Sequence, residues 1–126
     1  PLAEIVSSAV VGVEPRIMGI GPVRASEMAL ERAGIGFDNL DVIELNEAFS
    51  AQALACIRAW GLADDDPRIN PNGGGISLGH PLGMTGARIL LAAANQLKRT
   101  GGTYGLVTLC IGVGQGYAVV IKNAQA

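Results

Sequence analysis

Aromatic side chains are nearly missing from this chain of 126 residues: one Trp, two Tyr and two Phe, 4% in all. A core without them must be aliphatic and rich in Ala. Histidine occurs once, as His80. The two cysteines, Cys56 and Cys110, are too few for a disulfide framework and lack metal-ligand spacing, so no metal site is expected. A reducing cytoplasm is the simplest compartment for such a chain. Charged residues make up only 16%, with a net charge of -2 and no basic stretch, which argues against nucleic-acid binding. No apolar run is long enough to span a bilayer, and no signal-peptide pattern is present. The chain starts at Pro1 with no initiator Met, which fits a fragment or a processed product. What is present is a hydrophobic content of 49% in a chain long enough to bury a real core, so one globular domain over residues 1–126 is expected.

The pattern alternates strand and helix. "EIVSSAVVGV" (Glu4 to Val13) reads as a strand, and "VRASEMALERAG" as a helix stopped by Gly34. "LDVIEL" (Leu40 to Leu45) is a short apolar strand. Phe49, Ala53, Cys56, Ile57 and Trp60 then recur at helical spacing, up to Gly61. "RINPNGG" is a short strand or extended segment. "PLGMTGARILLAAANQLKR" is a third helix closed by "TGG", and "YGLVTLCIG" and "GYAVVIKN" form an antiparallel pair across a short connection. The sum is α/β: β-α-β-α-β-α-β-β, a mixed and mostly parallel sheet with helices packed on both faces. The third helix is apolar nearly all round, through Ala87, Ile89, Leu90, Leu91, Ala92 and Ala93. Such a helix is normally covered on both sides, which one small sheet cannot do. The alternative is that its Ala residues merely raise helix propensity.

Three stretches could carry chemistry. "LNEAF" (Leu45 to Phe49) emerges from the end of a strand, where open α/β sheets build their sites. Asn46 or Glu47 could equally cap the following helix. "GHPLG" places His80 just before a helix N-terminus, which favours the neutral imidazole. An isolated histidine is otherwise a solvated loop residue; the glycines around it let backbone approach a ligand closely. "CIGVGQG" puts Cys110 at a strand end followed by glycines, a loop able to offer N–H groups to an anion. It lacks the dinucleotide spacing, and a strand rather than a helix follows it. "GISLG" matches the nucleophile elbow of α/β-hydrolases, but that arrangement needs a histidine far downstream of the serine, and none follows His80. Cys56 lies on an apolar helix stripe and reads as packing.

"LNEAF", "NPNGGGISLGHPLGMTGAR" and "CIGVGQG", in this order and spacing, resemble the C-terminal half of a thiolase, and the resemblance runs from Pro1 to Ala126. "ADDDPRINPNGG" and the Val-Gly-Gln of "CIGVGQG" are similar to the 3-oxoadipyl-CoA group within that family. The resemblance implies an acyltransferase that forms or cleaves a 3-oxoacyl-CoA through an acyl-cysteine, with no permanently bound cofactor and a coenzyme A thioester as substrate. His80 is then the group that takes the proton of the nucleophilic cysteine and helps bind the thioester oxygen. Asn46 holds a water in the same oxyanion hole. Cys110 is the acid/base at the substrate α-carbon, and Gly112 is the backbone donor of a second oxyanion hole. Val113 stands where many family members have Gly. The nucleophile belongs to an N-terminal half that these residues do not include, and the full enzyme is expected to be a cytoplasmic homo-oligomer. Two other readings stay open: a general acetyl-CoA acetyltransferase or 3-ketoacyl-CoA thiolase of fatty-acid metabolism, and a thiolase-like binding domain without catalysis.

Overall fold

Strand and helix alternate along the chain until a closing hairpin. The computed structural model describes all residues, Pro1–Ala126. Strand β1 (Ala3–Gly12) leads through a 3₁₀ turn (Pro15–Ile20) into helix α1 (Gly21–Ala33), and a second 3₁₀ turn (Phe37–Asn39) leads into β2 (Leu40–Leu45). Helices α2 (Ser50–Ala59), α3 (Gly75–Leu78) and α4 (Leu82–Thr100) follow, then β3 (Tyr104–Ile111) and β4 (Gln115–Asn123). Gly34 and Gly101 end α1 and α4 in the left-handed conformation, as their places in the sequence suggest. The 3₁₀ turn at Pro15–Ile20 and the single turn α3 carry no periodic pattern and were not expected.

The sheet order is β1-β4-β3-β2. β1 and β3 both pair antiparallel with β4, and only β2 and β3 pair parallel. The expectation of a mostly parallel sheet is therefore corrected. β1, β2 and β3 do all run the same way, but the closing hairpin inserts the reversed β4 between β1 and β3. The expected strand at "RINPNGG" reduces to one parallel bridge, Ile43 to Ile69, at the outer side of β2.

Alternation along the strands splits the core in two. Leu106, Ala118 and Val120 face Ala25, Ala29 and Leu30 of α1. Val107, Val119 and Ile121 face Ile89, Ala93 and Leu97 of α4. Helices thus cover both faces, and α2 adds a third cluster with Leu45. Tight approach is built in where α1 begins: a Cβ on Gly21 would lie 2.5 Å from the carbonyl oxygen of Gln115. The far side of α4 is only partly covered, with Leu91 54% and Leu82 84% exposed. No helix is long and apolar enough to cross a membrane.

Candidate active site

β2 and β3 run parallel, so their C-terminal ends open on one edge of the sheet. α4 leads into β3, which places the N-terminus of α4 at that same edge. Sequence far apart is thereby gathered: Asn46 follows β2, His80 precedes α4, and Cys110 lies near the end of β3.

The end of β2 is fixed from outside the sheet. Asn70 accepts from the Leu45 N–H through Oδ1 (2.9 Å) and donates to the Leu45 carbonyl through Nδ2 (2.8 Å). Its amide stands in for a neighbouring strand at the last residue of β2. Asn70 takes the left-handed φ of 45° to do so, a conformation that Asn tolerates. On the inner side the Asn46 N–H donates to Thr108 of β3 at 3.0 Å. The "GGG" segment then closes over this turn. A Cβ on Gly75 would lie 2.8 Å from the Glu47 carbonyl and 3.3 Å from Asn46 Oδ1, so only glycine packs there. The Glu47 carboxylate accepts from the Ile76 N–H at the start of α3.

His80 sits between two side chains. Its Nδ1 is 2.6 Å from Thr85 Oγ1, and its Nε2 is 3.3 Å from Asn46 Nδ2. The Thr85 hydroxyl has one hydrogen, and it is spent on the Pro81 carbonyl at 3.0 Å. Thr85 can therefore only accept from the ring, which puts the proton on Nδ1. Nε2 is left with a free lone pair that accepts from the Asn46 amide. The ring is thus held in the tautomer that offers Nε2 as a base. Asn46 and Thr85 are fully buried, so this arrangement is shielded from competing water. Pro81 is the residue before α4 rather than its first residue; its carbonyl takes the N–H groups of Met84 and Thr85.

Cys110 reaches the edge from the other face. Its partner across the hairpin is Gly116, which packs against Gly21 of α1, whereas Asn46 and His80 lie on the α4 side. Cys110 is 7% exposed, and burial pushes its thiol above the ordinary value. It therefore stays protonated near neutral pH. Gly112 begins the three-residue turn after β3 and is itself exposed, with open space on its Cα. Neither residue hydrogen-bonds to Asn46 or His80: the two halves of the candidate site approach the strand ends from opposite faces. Cys56 is fully buried at the base of α2, donates to the Gly19 carbonyl, and has its thiol pushed up to about 11 by burial. No three His, Cys, Asp or Glu side chains converge as a metal site.

Thr85, Asn70 and Glu44 escaped the reading of the sequence. A hydroxyl inside "GMTGAR" and an amide inside "NPNGG" carry no periodic signal. Glu44 is a carboxylate inside the apolar strand "LDVIEL", yet it is 1% exposed.

The family model described as "Thiolase, C-terminal domain" matches residues 1–123. The 3-oxoadipyl-CoA/3-oxo-5,6-dehydrosuberyl-CoA thiolase of Escherichia coli K12 is 60% identical over 123 residues, which is 98% of this chain and 31% of that protein. The beta-ketoadipyl-CoA thiolase of Acinetobacter baylyi is 59% identical over 121 residues, 96% of this chain and 30% of that protein. The crystal structure of human mitochondrial 3-ketoacyl-CoA thiolase in complex with CoA superposes with a TM-score of 0.94 at 48% identity, over 98% of this chain and 31% of that one. The chain spans about a third of the length of the curated relatives it matches.

Proposed function

The chain belongs to the thiolase family, as its C-terminal domain, and from that premise we propose that it is the proton-transfer half of an acyl-CoA C-acyltransferase that cleaves or forms a 3-oxoacyl-CoA. The substrate that the similarity favours is 3-oxoadipyl-CoA, which with CoA would give succinyl-CoA and acetyl-CoA. The nucleophilic cysteine would come from an N-terminal half of the same enzyme. Within this chain Cys56 is buried with its thiol pushed up to about 11, and Cys110 is also held as a thiol, so neither suits that part.

The observation that carries the proposal is the fixed tautomer of His80. Nε2 accepts the proton of the nucleophilic thiol. Once protonated, Nε2 and Asn46 Nδ2 are both donors and no longer bond to each other. Two N–H groups about this far apart can converge on one oxygen, directly or through a water held by Asn46. Deprotonating the nucleophile thus builds an oxyanion hole for the thioester at the same moment. In cleavage, attack on the 3-oxo carbon expels the acetyl-CoA enolate. Its α-carbon needs a proton, and Cys110, kept as a thiol by burial, is the donor; CoA then gives its thiol proton to the Cys110 thiolate and takes the acyl group, and the released nucleophile recovers its proton from His80. Gly112 follows Cys110 on the turn and would offer its N–H to the enolate oxygen. Their places at strand ends predict that Asn46, His80 and Cys110 converge on one pocket; because Cys110 reaches the strand ends from the α1 side and His80 from the α4 side, their use on one substrate requires it to lie across that edge of the sheet.

The test is acyl-enzyme trapping in the full-length enzyme. Cys110→Ser should still acylate the nucleophile from acetyl-CoA but should lose α-proton exchange by about 10²-fold or more. His80→Ala should slow acylation itself. Equal acylation defects in the two variants would overturn the assignment.

A further inference from the structure

The chemistry above uses neither Glu44, which is buried, nor Arg88, which is half-buried with its guanidinium nitrogens out of solvent. Glu44 lies on β2 two residues before Asn46, and so on the same face of the sheet. Arg88 lies on α4 one turn after Thr85, on the helix that carries His80. Both carboxylate oxygens of Glu44 are buried without a hydrogen-bond partner in the chain. The same holds for Nε and both terminal nitrogens of Arg88, and for Oδ1 of Asn46. They make no direct ion pair; desolvation opposes ionisation of Glu44, the nearby charge of Arg88 favours it, and Glu47 opposes it.

Six orphaned polar atoms of opposite character on one β2–α4 contact need an explanation. Isolated burial of either charge costs several kcal/mol. Groups of this polarity, facing each other beyond direct reach, are satisfied by ordered water between them. The location is informative as well. Ile89, Ala93 and Leu97 tie α4 to the sheet by apolar packing along most of its length. At the end that carries the site, Glu44 and Arg88 stand where that packing gives out.

We propose that Glu44 and Arg88 form a water-bridged pair that pins the first turns of α4 to β2 and thereby sets the separation of Asn46 and His80. Both are positioning residues; neither touches substrate. The proposal rests on the reading of His80 as the base that activates the nucleophile.

The experiment uses the full-length enzyme, with single-turnover acylation of the nucleophile by acetyl-CoA as readout. Glu44→Gln and Arg88→Gln should each slow acylation about ten- to a hundredfold, the loss expected for a misplaced catalytic group, with KM for the acyl-CoA within about twofold of wild type. Glu44→Gln with Arg88→Gln should lose less than the product of the two single losses, because no charge is then left unpaired. Glu44→Asp should recover part of the loss, since water can span the extra distance. Multiplicative losses, or unchanged acylation in either single variant, would overturn the proposal. A high-resolution structure of the enzyme gives a readout independent of activity: water between the two side chains supports it, and groups from elsewhere in the enzyme filling that space overturn it. Failure of the wild type to acylate would instead count against the thiolase reading.

Discussion

Thr85 decides which nitrogen of the single histidine is available as a base. Its hydroxyl is committed to Pro81, so it forces the ring proton onto Nδ1. Replacing it by Val keeps the volume and removes the acceptor. In Thr85→Val the Nδ1–H loses its partner, and the ring becomes free to exchange tautomers. Nitrogen-15 chemical shifts of the imidazole should report one tautomer in the wild type and a mixture in Thr85→Val, while Thr85→Ser stays like the wild type. Losing the acceptor of this half-buried donor should also cost about 1 kcal/mol of stability. A single tautomer retained in Thr85→Val would show that Asn46 alone sets the ring. The sequence made His80 legible through its place between glycine and proline before a helix. It hid Thr85, because the contact exists only once His80 is folded back over the first turn of α4.

β2 is the element from which the site hangs, and it was the least transparent one. "LDVIEL" reads as an apolar strand with two polar positions. Asp41 is exposed, but Glu44 is buried, because α4 packs on the face that Glu44 shares with Val42. A strand packed on both faces has no solvent side to advertise. The mostly parallel expectation failed for a similar reason: strand direction is written in the alternation of elements, whereas the insertion of β4 between β1 and β3 depends on long-range pairing. Burial of Glu44 has a measurable consequence. Desolvation raises its pKa from an ordinary 4.5 to about 7, against the opposing field of Arg88. Below 4.5 the group is protonated both folded and unfolded and contributes nothing. Between 4.5 and 7 the unfolded chain releases the proton and the folded one holds it, so folding stability falls as pH rises. Above 7 the full penalty is present, about 3 kcal/mol for a shift of this size. Denaturant unfolding of the chain across this range should show that decline, and Glu44→Gln should flatten it. A wild-type stability unaffected by Glu44→Gln from pH 4.5 to 7 would mean that the carboxylate is solvated.

At the scale of the whole molecule, the hydrophobic surplus noted in the third helix marks surface that the chain does not cover by itself. Ile89, Ala93 and Leu97 are buried against the sheet, while Leu91 is 54% exposed. Between α4 and β1 runs an apolar groove of about 400 Å³, lined by Leu2, Ala3, Ile5, Ala87, Leu90 and Leu91 among others. Ile5, at 66% exposure, stands on β1, one of the two edge strands of the sheet. Exposed apolar surface on this scale, next to an unpaired strand edge, favours association. The covalent step is equally incomplete, since both thiols of the chain are buried and protonated, and transfer through an acyl-enzyme needs a nucleophile. The 126 residues taken alone should therefore show no CoA-dependent cleavage of a 3-oxoacyl-CoA, and light scattering should find species larger than a monomer at micromolar concentration. Leu91→Lys should lower that association without unfolding α4, because Lys is nearly as good a helix former as Leu and the position faces away from the sheet. Turnover above background would mean that one of the two buried thiols is a competent nucleophile. A monodisperse wild-type monomer would mean that the groove and the exposed face of α4 are stable in water as they stand, and the extended apolarity of that helix would then reflect helix propensity rather than a missing partner surface.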